Sequence, residues 1–137
     1  MAFADPGVNR LIINAGVGPA APTVVLAEAC RRGDHLGYSS GWKRGLATVG
    51  TAIQARLIAL ADGKIGDSVP VSSRPVIGGF TGATPGGYVY AAEGTDNGMF
   101  TQTAPATTGD CNTILGLALS DTEVMFFLNS RPDSLSS

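Results

Sequence analysis

Charged side chains make up only 15% of this 137-residue chain, against about 25% in an average soluble domain. The surface must therefore be largely neutral and built from Gly, Thr, Ser and Ala. Such a surface suits burial against neighbours better than life as a highly charged free monomer. The nine basic residues are scattered and the net charge is −2; only Arg31-Arg32 and Lys43-Arg44 stand as adjacent pairs. Nucleic-acid binding through counterion release needs a concentrated basic face, so no nucleic-acid partner is expected. Long apolar runs are also missing. None approaches the ~20 residues that span a bilayer as a helix, and no membrane partner is expected. The opening MAFADPGVNR has no basic stretch followed by an apolar one, so it does not read as a secretory signal.

The residues that most often carry chemistry are scarce as well. There is one histidine, His35, and there are two cysteines, Cys30 and Cys111. Two distant thiols make no metal motif and no stapled small domain; they are expected as buried reduced thiols, with a Cys30–Cys111 bridge left open. A His-activated nucleophile needs a Ser or Cys in hydrogen-bond reach and an orienting carboxylate. Cys30, Asp34 and His35 are close in sequence, but no G-x-S-x-G elbow is present, and His35 reads as a surface residue beside the Gly33-Asp34 turn. DGKIGD, residues 62–67, lacks the acids and terminal Glu of an EF-hand loop and reads as a plain turn. GVGPAAP, residues 16–22, is not followed by the Lys-Ser/Thr of a phosphate loop. No catalytic residue, cofactor or metal is expected, although a small enzyme using Cys30 and His35 remains an alternative.

What the chain does have is turn residues: 19 Gly and 8 Pro. They divide it into short β-prone pieces about every 8–12 residues, the spacing of an all-β barrel or sandwich. The pieces include TVVLAEAC (23–30), SVPVSS (68–73), RPVIGGF (74–80), YVYAAEG (88–94), MFTQTA (99–104), CNTILGLAL (111–119) and TEVMFFLN (122–129). Asn97-Gly98 is a hairpin-type turn signal. AIQARLIALADG (52–63) fits a helix through Ile53, Leu57 and Leu60, or a strand with apolar residues on both faces; the β-like neighbours and the turn that follows favour strand. Residues 1–21 read as an extended N-terminal arm, with Arg10-Leu11-Ile12-Ile13 isolated by a Gly/Pro spacer. Residues 22–129 read as one small β-barrel or β-sandwich domain, and 130–137 as a flexible tail.

The order of segments after Phe80 is distinctive: G-F-T-G-A-T-P-G-G-Y-V-Y, then G-T-D-N-G-M-F-T-Q-T-A-P, then T-T-G-D-C-N-T-I-L-G-L-A-L-S-D-T-E-V-M-F-F-L. It resembles the small β-rich capsid decoration (cement) proteins of tailed bacteriophages, in which a Gly-x-Val-Tyr strand, a Gly-turn hairpin with a Thr-rich stretch and a closing strand pair complete a barrel. LAEACRRGDHLGY and RLIALADGKIGDSVPV are similar to the family's Gly-Asp-x-Val steps. The resemblance spans about residues 22–129; Cys111 and Asp121 depart from it, standing where smaller or neutral residues would serve as well.

That resemblance implies a structural virion protein on the outer capsid surface, made in the host bacterial cytoplasm. It would bind the major capsid protein, bridge capsomers and form a homotrimer. A tail or head-fibre module of the same barrel type is the alternative, and a carbohydrate-binding module using Tyr88, Tyr90 or Trp42 a further one. Contacts with another subunit or the capsid are expected from Arg10, Leu11, Ile12 and Ile13. Tyr88 and Tyr90 lie two apart on one strand face and are expected at a sheet or subunit contact, where Tyr is enriched. In the last strand Val124, Phe126 and Leu128 alternate with Met125 and Phe127. Both faces are apolar, so Met125 and Phe127 need a covering layer beyond the core.

Overall fold

A computed structural model describes residues 3–18 and 21–128; the expected tail, 130–137, lies outside them. The described chain is all-β and contains no helix. Its eleven strands are β1 (Leu11–Asn14), β2 (Thr23–Val25), β3 (His35–Tyr38), β4 (Trp42–Arg44), β5 (Leu57–Ala59), β6 (Ser68–Ser72), β7 (Val76–Gly78), β8 (Tyr88–Ala91), β9 (Phe100–Thr101), β10 (Gly116–Ala118) and β11 (Glu123–Phe126). Strands this short follow from the turn residues between them. Twelve glycines adopt positive φ, a conformation that L side chains resist.

Two antiparallel sheets result, with orders β1-β7-β11-β10-β8-β9 and β2-β6-β5-β3-β4. The five-stranded sheet curls until Leu26, just past β2, makes an isolated parallel bridge with Trp42 of β4. That single bridge does not close it, so the domain is sandwich-like and not a closed barrel.

Strand β5 shows why residues 52–63 resist a simple reading. Ile58 enters the core between the sheets, with Ile77, Phe80, Val89, Phe100, Val124 and Phe126. Its neighbours Leu57 and Ala59 point the other way, into a smaller cluster of Leu26, Cys30, Leu36, Val69 and Val71 inside the curled sheet. Both faces are apolar because β5 is a wall shared by two cores.

The N-terminal segment is not a free arm. In its described part, Ala4 bridges to Thr81, Phe3 stacks on Phe80 at 5.5 Å, and β1 pairs with β7 through Leu11–Gly78 and Ile12–Ile77. An apolar tetrapeptide with no core of its own gains most by completing the edge of its own sheet. Cys30 and Cys111 are both buried and are not joined in a disulfide.

Candidate functional site

The outer face of the six-stranded sheet gathers most of the expected contact residues. Residues directly opposite in an antiparallel pair share a face. Tyr88 pairs with Leu117, Leu117 with Met125, and Met125 with Val76, so these four form one apolar row across four strands. Leu11 is opposite Gly78. The Ile13 side chain also reaches over Gly78, where a Cβ would lie 3.2 Å from Ile13 Cδ1. Tyr90 extends the same face beside Thr101. Leu11 is 54% exposed, Ile13 50%, Tyr88 51%, Leu119 48% and Met125 37%, whereas Val89, Val124, Phe126 and Ile77 on the opposite face are essentially inaccessible. Among the strand residues of this outer face only Glu123 carries a charge. Exposed apolar side chains are ordinary when scattered; contiguous ones mark an interaction site.

Beside the row lies an open depression of about 430 Å³ lined by Asn14, Gly16, Arg74, Val76, Met125 and Phe127. Phe127 is half-buried there. The adjoining edge strand β1 has no charge and no proline, the usual devices that stop an edge from recruiting another chain; a register shift between Ile12 and Asn14 is its only irregularity.

Two of the expected contact residues are elsewhere. Ile12 faces inward, partly buried against the main core. Arg10 is fully buried and cannot present its side chain to a partner. Its Nε and Nη2 donate to Asp5 Oδ1 and Oδ2 at 2.9 and 2.8 Å, and Nη1 donates to Asp34 Oδ1. The guanidinium also lies 5.7 Å from the Phe100 ring centre. A charge this deep persists only when paired and hydrogen-bonded, and here two acids and two carbonyls, Arg32 O at 3.3 Å and Gly98 O at 3.4 Å, meet it. Burial works against the Arg10 charge, but Asp5 and Asp34 outweigh it and raise its pKa. Asp34 is pushed up by burial and held back by Arg10 and Arg31.

His35 is also not at the surface. It is fully buried, 4.8 Å from Phe100, and its Nε2 lies 2.7 Å from Met99 O. Burial lowers its pKa to about 4, so the ring is neutral at pH 7 and Nε2–H donates to that carbonyl. Cys30 instead directs its thiol to Ala61 O at 3.7 Å. Burial, then Asp34 and Asp62, push that thiol up to about 11, away from the nucleophilic thiolate. The structure therefore does not assemble the pair that a Cys–His nucleophile requires.

A second cleft, about 560 Å³, is lined by Val8, Asn9, Cys30, Arg31, Arg32, Asp62, Lys64 and Asp67. Arg31 is paired with Asp34, and Arg32 and Lys64 are balanced by Asp62 and Asp67, so the cleft has no preferred sign of ligand charge. Asp67 accepts from Lys64 N at 2.9 Å, the local turn bond expected of DGKIGD. Among the described residues no group of three or more His, Cys, Asp or Glu side chains comes together as a metal site.

Sequence reasoning passed over Leu117, Leu119 and Val76 as members of the exposed row. The alternation along and just past β10 carries the signal for the first two, since Gly116 and Ala118, which alternate with them, are buried. Val76 becomes visible only through its register with Met125. Comparisons with protein families, curated proteins and solved structures found no match.

Proposed function

We propose that the chain is a structural virion protein that binds the outer surface of an assembled phage capsid, as a homotrimer that bridges subunits of the major capsid protein. The reading rests on the resemblance of residues 22–129 to decoration proteins. Its physical support is one observation: the uncharged row Tyr88–Leu117–Met125–Val76, flanked by Leu11 and Ile13, on one exposed sheet face. Each apolar Å² covered by a neighbour contributes about 25 cal/mol before association costs are subtracted. Many copies on one shell add such small terms without any chemistry at the site.

The test uses substitutions on this face. Removing residues 1–21 would also remove Phe3, Arg10 and β1 from the fold, and so confound binding with folding. Met125→Lys and Tyr88→Asp place a charge in the row while leaving the core face intact. Each is expected to lower occupancy on purified particles at least tenfold with the circular dichroism spectrum unchanged. Full occupancy by both variants would remove this face as the capsid contact. A tail or head-fibre role is distinguished by where the chain appears in images of the virion.

A further inference from the structure

His35 sits where three parts of the fold meet, and the loop beside it ties them together residue by residue. Gly98 O accepts from both His35 N and Arg10 Nη2, each at 3.4 Å. Met99 O accepts from His35 Nε2 at 2.7 Å. Phe100 N donates to Asp5 Oδ2 at 2.9 Å. Three consecutive residues thus join the imidazole to the two charged groups that anchor the N-terminal segment.

The other ring nitrogen, Nδ1, is buried and has no hydrogen-bond partner among the described residues. Gly45 backs it so closely that a Cβ there would lie 2.2 Å away. The charged groups around the ring are Arg10 and Asp5 from the N-terminal segment and Arg31 and Asp34 from the turn before β3. Both carboxylates are already engaged, Asp5 by Arg10, Gly7 N and Phe100 N and Asp34 by Arg10 and Arg31. On its other sides the ring meets Ile58, opposite His35 in β5, the Phe100 ring of β9 and the Gly45 backbone after β4. A proton arriving at Nδ1 therefore meets a wall without an acceptor, beside two guanidiniums.

We propose that His35 is an acid-sensitive latch: protonation of Nδ1 releases the 98–100 strip, and with it the N-terminal segment and β1, while the five-stranded sheet stays folded. The proton comes from solvent and no bond other than hydrogen bonds changes. The latch is independent of what the outer face binds. Release would strip β1, with Leu11 and Ile13, from that face.

His35 is the only histidine, so its imidazole resonances are unambiguous. The open state takes up the proton near pH 6.5, the closed state only near pH 4. Opening should then grow about tenfold per pH unit between those limits. Amide exchange followed by NMR should show Phe100 and Ala4, which donate to Asp5 Oδ2 and Thr81 O, losing protection about 20-fold between pH 7 and pH 5, while Ala59 and Val71 keep theirs. His35→Gln retains a donor for Met99 O and cannot take up the proton, so its exchange should be flat over this range. Three results would overturn the latch: an imidazole in the wild-type protein that titrates near pH 6.5 without loss of protection, simultaneous loss in both sheets, or the same acid step in His35→Gln, which would assign it to a group other than the imidazole. If His35→Gln does not fold, the wild-type imidazole titration and exchange pattern decide.

Discussion

The Arg10 guanidinium is the residue on which the N-terminal third of the fold turns. It is buried with Asp5 and Asp34, so removing it leaves two carboxylates desolvated. Arg10→Met should cost about 3–5 kcal/mol, read as a shift in the urea midpoint. Adding Asp34→Asn to that variant should recover part of the loss, because the second change removes an uncompensated charge while keeping an acceptor for Arg31 N. Gly33 is fixed by the same residue: at φ +90°, its Cβ would stand 2.6 Å from Arg10 Cδ. Gly33→Ala should destabilise by more than about 1 kcal/mol. His35 sets a pH dependence. Its pKa is lowered in the folded state to about 4, so between pH 6.5 and 4 the unfolded chain binds more protons. Its contribution is complete above pH 6.5 and falls by about 3 kcal/mol as pH drops to 4. Asp34, pushed up by burial, works in the opposite direction in the acid part of this window. The difference between wild type and His35→Gln in urea unfolding at pH 7 and pH 4.5 isolates the histidine part; parallel losses would show that it contributes none.

At the scale of elements, β11 carries the plainest contrast. Val124 and Phe126 are buried while Met125 between them is exposed. Phe126→Ala should cost about 3–5 kcal/mol, since the ring contacts Phe100 with centres 4.6 Å apart. Met125→Lys should change stability by no more than about 0.5 kcal/mol. Thermal melts of the two variants check both. This alternation was legible in the sequence, because period 2 is a local property of a strand. The 92–99 loop was legible only in part. Asn97-Gly98 does turn the chain, and β8 and β9 do pair, but the loop is long because Gly98 and Met99 carbonyls are drawn inward to Arg10 and His35. Strand β5 is legible in the sequence only from its β-like neighbours; its two apolar faces follow from the two cores it separates.

For the whole molecule, an exposed apolar face and an unprotected edge at β1 predict association. Size-exclusion chromatography with light scattering should show the wild-type chain larger than a monomer. The pair Leu11→Lys and Ile13→Lys should return it to a monomer with its core intact; a monomeric wild type would leave the face to a different partner. A protein with 15% charged residues has little surface charge to oppose such contacts.

The sequence by itself determined the all-β class, the places where the chain turns and the alternation that separates Met125 and Phe127 from Val124, Phe126 and Leu128. These follow from glycine, proline and period-2 patterning, which act over a few residues. Only the tertiary structure decided that Arg10 and His35 lie inside, that residues 3–14 complete their own chain's sheet, and that Tyr88, Leu117, Met125 and Val76 stand in one row. Arg10 meets partners 24 and 88 residues away. Whether a charge is exposed or paired in the interior depends on which distant groups the fold brings to it, and no local pattern encodes that.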